Sequence, residues 1–146
     1  MIVIGLGLPR TGTKSLAKAL NILGFSGYHY CSMNKEMKSY NRTEVKEADI
    51  FDITTYYYRS YEMLFNKDYY YILTNRNKES WLKSCAKFDP DPTIPDIEVY
   101  KNDVVKFFNK NNGKLLVLDL ENAFKWNQLC SFLNKEIPVC DYPEVK

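Results

Sequence analysis

The first 24 residues set the strongest constraint on the fold. Met1–Leu6 is an apolar run that ends in Gly5, Gly7 and Pro9, and from Thr13 onward Leu16, Ala17, Leu20 and Leu23 share one helical face before Gly24. A short apolar run stopped by glycine predicts a buried strand, and apolar spacings of three and four predict a helix. A strand, a glycine turn and a helix open an α/β fold. The rest of the chain continues the alternation. Asp49–Ile53 predicts a short strand, Tyr57–Phe65 a helix, and the β-rich Tyr69–Thr74 a buried parallel strand. Asn77–Ala86 predicts a helix with Trp81, Leu82 and Cys85 inward, and the prolines of 89–95 a loop. Val99–Asn109 predicts a helix amphipathic through Val104, Val105 and Phe108; Leu115–Leu118 predicts a buried strand and Phe124–Leu133 the last helix. Residues 34–48 are polar and read as helix and loop. The expected architecture is three-layered: a mainly parallel sheet with helices on both faces, in a single domain over residues 1–146.

Composition excludes several function classes. A net charge of +2 gives no basis for bulk nucleic-acid binding, so any basic site must come from local placement. Cys31, Cys85, Cys130 and Cys140 form no CxxC pair and there is one histidine, so no metal site is expected. Their irregular spacing reads as reduced thiols, which points to a cytoplasmic setting. The N-terminal residues lack a signal-peptide pattern, and no apolar run approaches the roughly 20 residues of a membrane span, so a soluble protein is expected. The triplets Tyr56–Tyr58 and Tyr69–Tyr71 read as packing around a sheet rather than as a platform for a nucleobase.

The turn between the first strand and helix is Gly7-Leu8-Pro9-Arg10-Thr11-Gly12-Thr13-Lys14-Ser15-Leu16. A helix N-terminus offers amides and the positive end of a dipole to an anion. Gly12 allows close backbone approach, Thr13 and Ser15 supply hydroxyls, and Arg10 and Lys14 supply charge. Gly7 and Gly12 have Walker A spacing, but Thr13 intrudes before Lys14-Ser15. Leu8–Leu16 resembles the 5′-phosphosulfate-binding loop of sulfotransferases that use 3′-phosphoadenosine 5′-phosphosulfate (PAPS), of the form P-[KR]-[ST]-G-T-x-[SWL]. Tyr71–Ser84 resembles the same family's 3′-phosphate segment, in which an Arg leaves a strand and a Ser follows eight residues later, as Arg76 and Ser84 do. Closing strand and helix agree: Leu115–Leu120, Trp126, Leu129-Cys130, Phe132-Leu133, Pro138 and Tyr142-Pro143 are similar to LLV-x-D…W-x-x-LC-x-FL…P…P. The likeness runs from about residue 3 to 143 and is nearest to the compact branch with ILT-x-R-x-x-x-S-W.

The resemblance implies a P-loop-like sulfotransferase fold that moves a sulfuryl group from PAPS to a hydroxyl or amine acceptor without metal. It implies that Pro9, Arg10, Thr11, Gly12, Thr13, Lys14 and Ser15 hold the 5′-phosphosulfate, that Arg10 stabilises the leaving group, and that Arg76 and Ser84 hold the 3′-phosphate. For the base it points to Asp52, with His29 second and Asp49 third. Two departures stand out. Lys78 replaces a usual proline and adds a cation, and no late basic glycine-rich loop is evident; Lys106, Lys110 and Lys114 read as a solvated face. The acceptor region is short, which suits a large acceptor, or a second copy of the chain that completes the site. Two other classes stay open: a non-catalytic nucleotide-binding or interaction protein of the same fold, and a P-loop kinase with Asp119 as its magnesium-binding acid. Neither nucleic acid nor membrane is expected as a partner.

Overall fold

A computed structural model of the chain describes residues 1–27, 49–52, 60–63, 65–88 and 94–144. Along the chain run β1 (Val3–Gly5), α1 (Thr13–Ile22), β2 (Ser26–Gly27), β3 (Asp49–Asp52), α2 (Ser60–Met63), β4 (Tyr70–Asn75), α3 (Lys78–Phe88), α4 (Ile97–Lys110), β5 (Lys114–Asp119) and α5 (Lys125–Leu133). The five strands among the described residues form one sheet in the order β2-β3-β1-β4-β5, every neighbouring pair parallel. β1 lies between β3 and β4, so the winding reverses at its carboxyl end, the place where open α/β sheets bind ligands.

Strand alternation sorts the core into two layers. Ile4, Tyr71 and Leu73 face Trp81 of α3 and Ile97, Tyr100, Val104 and Phe108 of α4. Val3, Ile72 and Leu118 face Leu16, Ala19 and Leu20 of α1 and Trp126, Leu129, Cys130 and Leu133 of α5. Both sheet faces are covered, which is why the strands are continuously apolar in sequence. The tyrosine run 69–71 is packing: Tyr71 is fully buried and stacks near Phe65, and Tyr70 meets Phe132 edge to face. Tyr56–Tyr58, Cys31 and His29 lie outside the described residues, as do residues 34–48 and 89–93.

Two expectations need correction. Leu82 is half exposed, because the inward face of α3 runs through Trp81, Ser84 and Cys85 at spacings of three and four, and Leu82 falls about 100° away. Lys78 does not add a cation to the loop. Its Nζ pairs at 2.6 Å with Asp96 Oδ2. Asp96 also caps α4, accepting from the amides of Glu98 and Val99 at 2.9 and 3.1 Å. The Lys78 ammonium, followed by these two amides, holds the Asp96 carboxyl below its ordinary value of 3.8. A lowered carboxylate contributes stability that is present above the unfolded pKa and is lost as pH falls through the folded one. Asp96→Asn keeps an acceptor for the cap but loses the ion pair. Melts followed by circular dichroism should therefore show a small gap from wild type at neutral pH that closes as pH falls below the ordinary carboxylate range. An unchanged gap at acid pH would mean that the carboxylate charge contributes nothing.

Among the described residues no helix is long and apolar enough to cross a membrane, and Cys85, Cys130 and Cys140 are free thiols.

Candidate active site

The loop after β1 is built from its buried side upward. Leu6 extends the strand by donating its amide to Ile72 O at 2.9 Å, and its carbonyl accepts the Tyr100 hydroxyl at 2.7 Å. Leu6 and Leu8 anchor the loop in the core. Thr11 Oγ1 donates to Leu8 O at 2.6 Å and lies 2.7 Å from Thr74 Oγ1 at the end of β4. A hydroxyl has one hydrogen, so Thr74 must be the donor to Thr11. Both threonines are almost fully buried, at 1% and 4% exposure, so the Thr11 side chain is committed inward.

The upper half of the loop is turned by two left-handed residues, Arg10 at φ 67° and Gly12 at φ 92°. Gly12 is made for this; for Arg10 the conformation costs about 1–2 kcal/mol and must be held. Three contacts from the β4–α3 segment hold it. Arg76 Nη1 donates to the Arg10 carbonyl at 3.0 Å, Trp81 Nε1 donates to the Pro9 carbonyl at 2.9 Å, and Arg10 Nε donates to Ser84 Oγ at 3.1 Å. Arg76 is itself oriented through Nε to Ser80 Oγ at 3.1 Å, and Ser80 Oγ donates to Asn77 O at 3.1 Å. On the far side, β5 closes against the same edge: Asn75 Nδ2 meets Asp119 Oδ1 at 2.8 Å, and the Asn77 amide meets Glu121 Oε1 at 2.7 Å.

The structure thus brings Arg10, Arg76 and Ser84 to one turn, although 66 and 74 residues separate Arg10 from its two partners. Both arginines bring positive charge to the neighbourhood of this turn, which favours an anion there. α1 begins directly after Gly12, has no side-chain cap and carries no acidic residue in its first turn, so nothing there repels an anion. Ser15 is buried, whereas Lys14 is exposed. Of the base candidates, Asp52 ends β3 in register with Gly5, at the carboxyl edge that leads into the loop. Asp49 begins that strand, in register with Ser26, about 10 Å back along it. His29 is outside the described residues. Lys106 and Lys110 line a groove of about 570 Å³ beside α4 together with Tyr61, Tyr100 and Phe107, and Lys114 lies over the Tyr70 ring at 4.5 Å.

Three residues that shape the loop had no marked role in the sequence: Thr74, Trp81 and Tyr100. Trp81 reads as core and Thr74 as a strand end, Tyr100 is unremarked, and only the folded partner of each polar atom shows what it does. A family model described as a sulfotransferase domain matches residues 2–67 and 89–146, most of the chain. The gap between the two matches contains β4, Arg76 and Ser84. No curated protein matches the chain.

Proposed function

The chain belongs to the sulfotransferase domain family, and from that premise we propose that it moves a sulfuryl group from PAPS to a hydroxyl or amine acceptor by in-line transfer. The observation that carries the choice of donor is the meeting of Arg76 and Ser84 with Arg10 at the first glycine turn, at 3.0 and 3.1 Å. A donor with phosphate on both the 3′ and 5′ positions of its ribose needs two anion subsites on one sheet edge, and the residues present fit it. The Arg76 guanidinium reaches the Arg10 backbone, the Arg10 side chain reaches Ser84, and the first turn of α1 carries no acidic side chain. Since the family match omits the 68–88 stretch, the 3′-phosphate assignment rests on this geometry.

When bound, PAPS supplies the activated sulfuryl group. The protein's part is to place it and to neutralise charge. Arg10 lies on the 5′ side and stabilises the oxygen from which the sulfuryl group departs. The amides from Thr11 to Ser15, at the positive end of α1, hold the 5′-phosphosulfate. Arg76 presents a planar fork to the 3′-phosphate. Ser84 accepts from Arg10 and still has its own hydroxyl hydrogen to give a phosphate oxygen. Asp52, at the carboxyl end of β3, takes the proton from the acceptor; His29 is the alternative. No metal is required in this scheme. The cysteine pattern supports a reducing, cytoplasmic setting, and the short acceptor side suits a large acceptor or a second copy of the chain.

A P-loop kinase would instead prefer ATP with magnesium. Calorimetric titration distinguishes the two: 3′,5′-adenosine bisphosphate should bind about a hundredfold tighter than ATP–Mg²⁺, as expected for charge-assisted contacts to the extra phosphate. Preference for ATP–Mg²⁺ would reject the proposal.

A further inference from the structure

We infer that Trp81 is a positioning residue for Arg10, acting on the 5′ end of the donor site through its indole N–H; this rests on the function proposed above. Trp81 looks like an ordinary core residue of α3, 3% exposed and packed with Leu8, Leu73 and Tyr100 in one core cluster. Packing accounts for its ring. It does not account for the direction of Nε1, which donates to the Pro9 carbonyl at 2.9 Å. That carbonyl belongs to the peptide immediately before Arg10, and the next carbonyl, that of Arg10, is held by Arg76 at 3.0 Å.

Two successive carbonyls fixed from one neighbouring segment define the orientation of the peptides on both sides of Arg10. This is what keeps a non-glycine residue at φ 67°. With that backbone fixed, the Arg10 side chain points to Ser84. Remove the indole donor and the Pro9 carbonyl is left at the core boundary without this partner, and the Pro9–Arg10 peptide can rotate toward water. Arg76 then holds only one side of the residue. The cost falls on Arg10 and the 5′-phosphate contact. Arg76 stays at its strand end and Ser84 on its helix, each losing at most its bond to Arg10, so the 3′ side changes little. Trp81 thus turns a helix position between the two 3′-phosphate residues into support for the 5′ subsite.

The test separates the two ends of the ligand. Trp81→Phe keeps a buried ring and removes the donor; should it fold poorly, site-specific replacement of Trp81 by benzothienylalanine keeps the ring shape and also lacks the N–H. Titrations use 3′,5′-adenosine bisphosphate and 3′-AMP, which lacks the 5′-phosphate. The bisphosphate should weaken about tenfold and 3′-AMP less than about twofold, as expected for loss of one buried hydrogen bond at one subsite. In an Arg10→Ala background the same change should cost the bisphosphate less than about twofold, since the two residues act as a unit. Equal losses for both ligands, or the same loss with and without Arg10, overturn the inference and mark Trp81 as packing alone. Failure of the unaltered chain to bind the bisphosphate overturns the proposed function and this inference together.

Discussion

Gly7→Ala should destabilise the fold by about 2–4 kcal/mol, one of the largest effects expected of a single methyl group here. A Cβ at Gly7 would stand 1.7 Å from Thr74 Oγ1, 2.8 Å from Thr11 Oγ1 and 3.0 Å from Thr74 Cβ. None of these atoms can step aside cheaply. Thr74 is in β4, hydrogen-bonded in register to β5, and Thr11 is locked by its bond to the Leu8 carbonyl. The obstacle is space and not backbone angle, which makes a prediction about rescue. Thr74→Ala removes the nearest atom, and it costs little at Thr11, whose own hydrogen already goes to Leu8. The double variant Gly7→Ala/Thr74→Ala should therefore recover a large part of the loss. Gly24 is the opposite case: it has φ 99° but nothing within 4 Å of a Cβ. Gly24→Ala should cost only the conformational penalty, about 1–2 kcal/mol. Thermal melts of the four proteins decide it, with Gly7→Ala falling by roughly 8–12 °C. If Thr74→Ala gives no relief, the tight approach of the loop to β4 is not what Gly7 is for.

Much of this arrangement was legible in the letters. The loop, the buried strand before Arg76 and the helix after it follow from apolar runs and spacings that backbone geometry enforces, so β1, α1, β4 and α3 appear where periodicity puts them. The convergence of Arg10 with Arg76 and Ser84 was an expectation from resemblance, and parallel pairing of β1 with β4 supplies the physical reason: their carboxyl ends share one edge. What sequence did not reveal has a common cause. β2 is two residues long, too short for any period to register. The inward face of α3 leaves Leu82 out, and hydrophobicity alone cannot tell which of two adjacent apolar residues a neighbouring strand will cover. Thr74, Trp81 and Tyr100 bury an apolar body and aim one polar atom at a backbone carbonyl or hydroxyl of the loop, and that aim depends on partners 63 to 94 residues away. Lys78 reads as a site cation until the cap of α4 claims it.

The larger effect on ligand binding belongs to Arg76→Ala. In the folded protein the Arg76 guanidinium spends Nη1 on the Arg10 carbonyl and Nε on Ser80, and Nη2 takes part in neither bond. The fork is thus aimed in advance, with Arg10 bonded to Ser84 beside it. A charge-assisted, bidentate contact made by a pre-oriented arginine is worth more than one from a free side chain, because little rotamer freedom remains to be lost. Arg76→Ala should therefore weaken 3′,5′-adenosine bisphosphate by about a hundredfold or more, and 5′-AMP, which lacks the 3′-phosphate, by about tenfold, because the bond to the Arg10 carbonyl is lost as well. Trp81→Phe differs in sparing 3′-AMP, because there the 5′-phosphate alone carries the loss. Arg76→Lys restores the charge but not the fork, and should recover about a tenth of the lost affinity at most. Arg76 is only partly buried, so the melting temperature should stay near wild type and a binding defect can be read as such. Equal weakening of bisphosphate and 5′-AMP would make Arg76 a brace for the loop and nothing more. The 3′-phosphate subsite would then have to lie elsewhere on the sheet edge.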